Sequence, residues 1–386
     1  MTSIDLPTAD GTWETYHPSA PREWVRRGSP AVSRVAFAAA HVVADPLGDN
    51  VPGAPAAVDW DSTLAFRGHL FDHGLGLAEA MDTAQRGMGL DWATTRELIR
   101  RSAALAAERG ARIASGAGTD HLPADTCDLD AVVAGYEEQL AFVESTGSQA
   151  ILMASRHLAR AAAGPDDYAK VYGRLLAQVE QPVVLHWLGT AFDPALEGYW
   201  GSADVQTATK RFVQLVTEHS DKVDGVKVSL LDAEHEKSLR AALPAGVRLY
   251  TGDDFHYPEL IKGDGEHHSD ALLGIFAAIA PAAASALDAL DRGDEAAYDA
   301  AFEPTLPLAR HVFSAPTYYY KTGIAFLAWL SGFQPGFTMV GGLQSARSPL
   351  HLVQAYRLAD QAGLLPDPDL AAARVRSLLA TVGLTR

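Results

Sequence analysis

Val223-Asp224-Gly225-Val226-Lys227-Val228 is the stretch on which the reading of this chain turns. Side chains alternate along an extended strand, so Val226 and Val228 share one face and Gly225 and Lys227 the other. In a closed parallel barrel the valine face packs under helices and the Gly225–Lys227 face points inward. A lysine held inside a barrel near a strand's C-terminal end is costly to bury. Desolvation lowers its pKa and leaves a neutral amine near neutral pH. Such an amine attacks a carbonyl to form a Schiff base. The plainer alternative is a lysine paired with an acid or reaching solvent, since buried charges without partners are rare.

One candidate unit earlier lies Pro182-Val183-Val184-Leu185-His186-Trp187. Val184 and His186 share a face, so His186 is placed to approach Lys227 over the barrel mouth. An imidazole suits proton transfer at neutral pH, although a histidine there also serves simply as a hydrogen-bonding group. Working outward, short runs rich in Val, Ile and Ala alternate with longer stretches of helical period, the signature of βα units. The expected strands are Arg34–Ala39, Gly76–Met81, Arg112–Gly116, Ala150–Ala154, Pro182–Trp187, Val223–Val228, Val247–Thr251 and Asp270–Ile275. The expected intervening helices include Trp92–Arg109, Leu129–Ser145, Pro165–Val179, Ala203–Ser220 and Ala233–Ala242. Eight such units predict a (β/α)8 TIM barrel over residues 34–281, with its site at the C-terminal strand ends. The rival, an open doubly wound sheet, normally carries a Gly-rich phosphate turn after its first strand, and none is found.

Residues 1–33 contain Pro7, Pro18, Pro21 and Pro30 and read as an arm with a short hairpin. Residues 282–386 read as a C-terminal helical extension, with helices expected at Ala282–Leu290, Ala297–Phe313, Thr322–Leu330, Leu350–Ala362 and Leu370–Ala380. Two features there read as structural. Tyr318-Tyr319-Tyr320-Lys321 suits core or interface packing, and Gly341-Gly342 with Arg347 suits a turn before a helix better than an anion site.

Composition bounds the function. The chain has 386 residues, and Asp+Glu 48 against Lys+Arg 31 give a formal charge of −17. That excludes the basic footprint of nucleic-acid binding and disfavours an anionic membrane surface. Cys127 is the only cysteine, so there is no intrachain disulfide or Cys-rich zinc site. Met1–Asp10 is polar and acidic, unlike a signal peptide, and no apolar run reaches the roughly 18 residues of a membrane span. The expectation is a cytoplasmic enzyme with a small-molecule substrate.

Acids and imidazoles recur at the expected strand ends: His41, Glu79, Asp82, Asp120, His157, Asp253 and Asp254 among them. Two chemistries compete for this pattern. One is hydrogen bonding to a hydroxyl-rich substrate; the other is a divalent metal on His and carboxylate ligands. No pair has a diagnostic metal spacing.

From about Arg34 onward the chain resembles the dihydrodipicolinate synthase / N-acetylneuraminate lyase superfamily of class I aldolases, in a divergent dihydrodipicolinate-synthase-like branch. Gly225-Val226-Lys227 resembles the sixth-strand motif bearing the Schiff-base lysine. Gly252-Asp253-Asp254 resembles the segment after the seventh strand, and Ser115-Gly116-Ala117-Gly118 the end of the third. The C-terminal helices match the family's extension. The resemblance implies the barrel, a Schiff base on Lys227 and a homo-oligomer. Departures concern the substrate. Where the family has Gly-Thr-Thr-Gly to hold a 2-oxo acid carboxylate, this chain has Asp82-Thr83-Ala84-Gln85, and an ionised Asp82 repels a carboxylate. His186 replaces the usual tyrosine, a proton shuttle, at the end of strand five. Arg156-His157 replaces an aromatic pair.

The resulting expectation is a Schiff-base lyase with no cofactor, acting on a sugar-derived ketone or keto acid. Lys227 is the nucleophile and His186 the proton shuttle, and His41, Glu79, Asp82, Thr83, Asp253 and Asp254 contact substrate. Two alternatives stand beside it. A metal-dependent sugar isomerase, epimerase or lyase would use Glu79, Asp82, His41 and His186 as ligands. A non-catalytic sugar-binding barrel would use the same mouth.

Overall fold

The computed structural model describes residues 3–386; the first two residues of the expected arm, Met1 and Thr2, lie outside them. An antiparallel hairpin, β1 (Ile4–Pro7) and β2 (Trp13–Tyr16), opens the chain. Eight parallel strands follow: β3 (Ala36–Ala39), β4 (Gly76–Glu79), β5 (Ile113–Ala117), β6 (Gln149–Leu152), β7 (Val183–Leu188), β8 (Val223–Ser229), β9 (Arg248–Thr251) and β10 (Asp270–Leu273). They close into a barrel, β10 pairing with both β9 and β3. The fold is a (β/α)8 barrel with a C-terminal helical extension.

A helix follows every barrel strand: α1 (Trp60–Asp72), α2 (Trp92–Arg109), α3 (Leu129–Ser145), α4 (Arg156–Ala161) with α5 (Pro165–Gln178), α6 (Val205–Glu218), α7 (Ala233–Ala242), α8 (Tyr257–Lys262) and α9 (Ala280–Asp291). Asp59, Asp91, Asp128, Asp204 and Asp232 cap the starts of α1, α2, α3, α6 and α7, each accepting from a backbone N–H. Such carboxylates satisfy the free N–H groups and oppose the positive helix end, which gives part of the chain's acidity a structural role. The extension comprises α10 (Glu295–Phe302), α11 (Leu306–Val312), α12 (Tyr320–Leu330), α13 (Pro349–Gln361) and α14 (Pro368–Thr381). Among the described residues no helix is long and apolar enough to cross a membrane.

Strand alternation builds two cores. Phe37, Ala39, Ala78, Met81, Ile151, Val184, Tyr250 and Leu272 fill the barrel, while the intervening residues, such as Leu185, Val226 and Val228, pack outward against the helices. Gly225 is required inside, because a Cβ there would lie 2.6 Å from the Tyr250 ring. The arm is fastened to later helices: the Tyr16 hydroxyl donates to Asp360 at 2.7 Å, the Trp24 indole to the Gly363 carbonyl at 3.0 Å, and Arg27 pairs with Asp291 at 2.6 Å.

One buried ion pair joins the second strand to its helices. Arg67 on α1 donates to both oxygens of Glu79, at 2.8 and 3.0 Å, and to the carbonyl of His41 at 2.7 Å. Ser102 on α2 donates to Glu79 at 2.5 Å. Both charged side chains are fully buried. Breaking such a pair strands a charge, whereas replacing both partners with apolar groups is often neutral. Arg67→Met is expected to destabilise the fold by about 3–5 kcal/mol in urea unfolding, and Arg67→Met with Glu79→Leu to recover most of that loss; a single variant as stable as the parent would contradict this.

Candidate active site

Lys227 and His186 are direct neighbours across β7 and β8, and Tyr250 on β9 stands beside Lys227 on the other side. Lys227 points inward, as the alternation predicts, and its side chain is buried. Among the described residues its amine makes no hydrogen bond or ion pair. Burial lowers its pKa, and the carboxylates of Asp82 and Asp254 act in the opposite direction. Space for the lysine comes from Gly252: a Cβ there would fall 2.1 Å from Ser229 Oγ and 3.0 Å from Lys227 Cε.

Asp254 follows β9. Its Oδ1 accepts from the Ile275 N–H at 2.9 Å. Burial pushes its carboxyl up to about 8, partly offset by that hydrogen bond and by Lys227. Asp82 comes from the other side, in a 3-10 turn beyond β4. The residues bracketing this turn, Ala80 (φ 53°) and Gln85 (φ 68°), are non-glycines in the left-handed region, a strained arrangement that surrounding structure must hold. His186 is fully buried; burial, and then the charge of Lys227, keep its imidazole neutral, well below its ordinary pKa. Its Nε2 lies 3.4 Å from Ser229 Oγ, and Nδ1 has no partner.

A cavity of about 310 Å3 opens at this end of the barrel, with Asp82 and His186 in its wall. Acids (Asp82, Asp120, Asp193) and bases (Arg86, Arg156, Arg160) both line it. Arg86 is committed to the protein: it donates to Asp120, to Gln139 at 2.5 Å and to the Gly116 carbonyl at 2.7 Å. Arg156 pairs with Asp193 at 2.5 Å but remains half exposed. Thr119 Oγ1 links Ser155 Oγ at 2.6 Å to His157 Nδ1 at 3.0 Å, adding a hydroxyl-lined wall.

The structure gathers Lys227, His186, Asp82, Thr83 and Asp254, and it places three other expected residues elsewhere. Glu79 lies one residue out of phase: Ala78 faces the barrel interior, so Glu79 faces α1 and α2 and is held by Arg67. His41 lies beyond the end of β3, packed on Phe66 with ring centroids 4.7 Å apart and Nε2 2.8 Å from Gln334 Oε1. Asp253 folds back on its own turn, accepting from the N–H groups of Phe255 and His256 and from the His256 ring at 2.9 Å. Glu79, Asp82, His41 and His186 therefore do not converge as a ligand set, and among the described residues no three His, Cys, Asp or Glu side chains are grouped to hold a metal.

Two site residues come from a segment expected only to pack. Tyr320 and Lys321, the first residues of α12, reach the barrel mouth. The Tyr320 hydroxyl is 2.7 Å from Thr83 Oγ1, and its ring stacks on Phe313 with centroids 4.3 Å apart. Burial, then the field of Asp82 and Asp254, raises the phenol well above its ordinary value. Lys321 is buried with its amine 3.1 Å from Met88 Sδ; burial lowers it to about 8, against the opposing charge of Asp82. The only advance signal was a polar atom at the end of each side chain in an otherwise apolar helix. Arg347, by contrast, binds carbonyls around the end of α11, including Ser314 at 2.7 Å, as its reading as a structural residue implied.

Over residues 4–384 the chain matches the family described as "Protein of unknown function (DUF993)", and it belongs to that family. No curated protein matches it. Its fold is similar to that of solved dihydrodipicolinate synthases. The dihydrodipicolinate synthase of Aquifex aeolicus superposes with a TM-score of 0.64 at 11% identity, covering 86% of this chain and 99% of that one. That of Bacteroides thetaiotaomicron gives 0.63 at 14%, covering 84% and 97%. The chloride-inhibited Acinetobacter baumannii enzyme, solved with pyruvate, gives 0.61 at 16%, covering 86% and 99%.

The crowding around Gly252 is testable. Gly252→Ala is expected to cost about 1–3 kcal/mol by overpacking, read by urea unfolding. Gly164→Ala, whose new carbon meets nothing within 4 Å, serves as control. Equal stability of the two variants would show that Ser229 and Lys227 yield freely.

Proposed function

We propose that the protein is a Schiff-base lyase whose nucleophile is Lys227 and whose substrate is a hydroxylated ketone or keto acid. One observation carries the reading: a buried amine with no hydrogen bond or ion pair among the described residues, at the C-terminal end of a barrel strand and beside the buried carboxyl of Asp254. In this scheme the Lys227 amine attacks the substrate carbonyl. Asp254 supplies the proton with which the carbinolamine oxygen leaves as water. The iminium then withdraws electrons from the adjacent carbon–carbon bond. Asp82 accepts the proton of the substrate hydroxyl as that bond breaks. Neutral His186 offers one N–H and one lone pair, and so relays a proton to the enamine carbon; water then adds to the resulting iminium, and the C–N bond breaks to release the product ketone and the free Lys227 amine. No cofactor enters.

The cavity supports a polyhydroxylated substrate over free pyruvate. Acids, bases and hydroxyls lining one cavity suit hydroxyl groups, and Asp82 opposes a carboxylate in its own corner. The Acinetobacter enzyme's complex with pyruvate shows what a related fold accepts and serves as the reference ligand.

Borohydride treatment in the presence of dihydroxyacetone, pyruvate and a panel of keto-sugars is expected to leave a reduced adduct on Lys227, located by peptide mass spectrometry. Because the amine's pKa is lowered, trapping is expected to persist near pH 7 and to increase with pH as the remaining ammonium deprotonates. Lys227→Ala removes the adduct. An adduct that survives this substitution, or none with any member of the panel, contradicts the reading.

A further inference from the structure

A second cavity, of about 320 Å3, lies away from the barrel mouth, where the arm, α1, α12 and the turn after α13 meet. Its volume is at the small end of ligand pockets, roughly 300–1,000 Å3. Phe66, Leu327, Ala328, Phe333 and Leu364 give it an apolar interior, and Trp24 closes one side. His69 and His73 on α1 also line it, their rings 4.5 Å apart, with His69 packed 4.2 Å from Phe333. Among the described residues neither ring nitrogen of His69 has a hydrogen-bond partner, nor does Nε2 of His73.

Charge distinguishes this cavity. The chain carries a formal charge of −17, yet no Asp or Glu lines the cavity, and its charged lining residues are Arg22 and Arg26. Arg22 is engaged, donating to the Ala300 carbonyl at 2.9 Å and lying 4.5 Å from the Trp24 ring centroid. Arg26 makes no hydrogen bond or ion pair among the described residues, and its charge is felt by both His69 and His73. An apolar interior with imidazole nitrogens that make no hydrogen bond to the protein and a free guanidinium at its rim suits one ligand chemistry. It is a small carboxylate on an aromatic or branched apolar body, the carboxylate accepting the charge-assisted bonds.

We propose that this cavity binds such an apolar carboxylate and that its occupancy is transmitted to the barrel mouth through α12 and α1. Leu327 and Ala328 are on the helix whose first residues, Tyr320 and Lys321, stand at the Lys227 site. Phe66 precedes Arg67, which grips Glu79 at the end of β4, three residues before Asp82. A ligand wedged between these two helices bears on both arms of the site. Binding does not rest on the Schiff-base reading, and Lys227→Ala is expected to bind unchanged, so failure of either idea leaves the other standing.

Isothermal titration of the full chain with sodium phenylacetate and with uncharged phenylacetamide tests the site. One saturable event per chain is expected with phenylacetate. The amide, or the Arg26→Gln variant, is expected to weaken it roughly tenfold or more, the loss of a charged hydrogen bond. Ala328→Leu narrows the cavity and is expected to weaken it as well. No saturable binding, or equal binding of acid and amide with Arg26→Gln unchanged, overturns the site. Amide hydrogen exchange tests the coupling: bound phenylacetate is expected to slow exchange in residues 79–85 and 320–330, and unchanged exchange there in a saturated protein overturns the transmission.

Discussion

An amine without an ion pair of its own, buried at the end of a barrel strand, is the constraint around which the site is arranged. Lys227 loses hydration on folding and gains no direct hydrogen bond in return; the fields of Asp82 and Asp254 offset that only in part. The surrounding features follow from this. Gly252 leaves the lysine room, neutral His186 beside it adds no second charge, and burial raises the Asp254 carboxyl that shares the same dry volume. An ordinary structural lysine would have been given a close carboxylate, as Lys262 is by Asp299 at 2.5 Å. Perturbed groups of this kind concentrate at functional sites.

Helix α12 ties the extension to this site. Its start supplies Tyr320 and Lys321, and its later turns pack against the arm side of the molecule. The Thr83–Tyr320 contact spans 237 positions of sequence and joins the turn carrying Asp82 to the extension. The extension thus completes the barrel mouth. On the opposite flank, the Arg67–Glu79 pair fixes α1 to the strand that leads into the same turn, so that two helices from distant parts of the chain set the position of Asp82.

Much of this architecture was legible in the sequence because strand alternation is a strong local signal. All eight barrel strands fall within about two residues of their expected bounds, and the inward face of Val223–Ser229 follows from alternation alone. Lys227 and His186 were legible for the same reason. Glu79 was misplaced by that same rule: a strand-end residue one step out of phase faces the helices, and its partner, Arg67, lies in a helix not expected from the pattern. His41 and Asp253 turn to partners other than the Lys227 amine because beyond a strand's end the alternation lapses and loop geometry decides. Tyr320 and Lys321 were read as packing because nothing local to Tyr318–Lys321 reveals that α12 lies over the barrel. That is a tertiary fact, set by how the extension folds back.

Burial and the lack of a close partner make Lys227 an easily deprotonated amine. Competitive labelling with trace acetic anhydride from pH 6 to 11, with each lysine followed by peptide mass spectrometry, measures this directly. Lys227 is expected to titrate below the ordinary lysine value of about 10.4, and prior borohydride trapping with substrate to abolish its labelling. A titration at that ordinary value would contradict this.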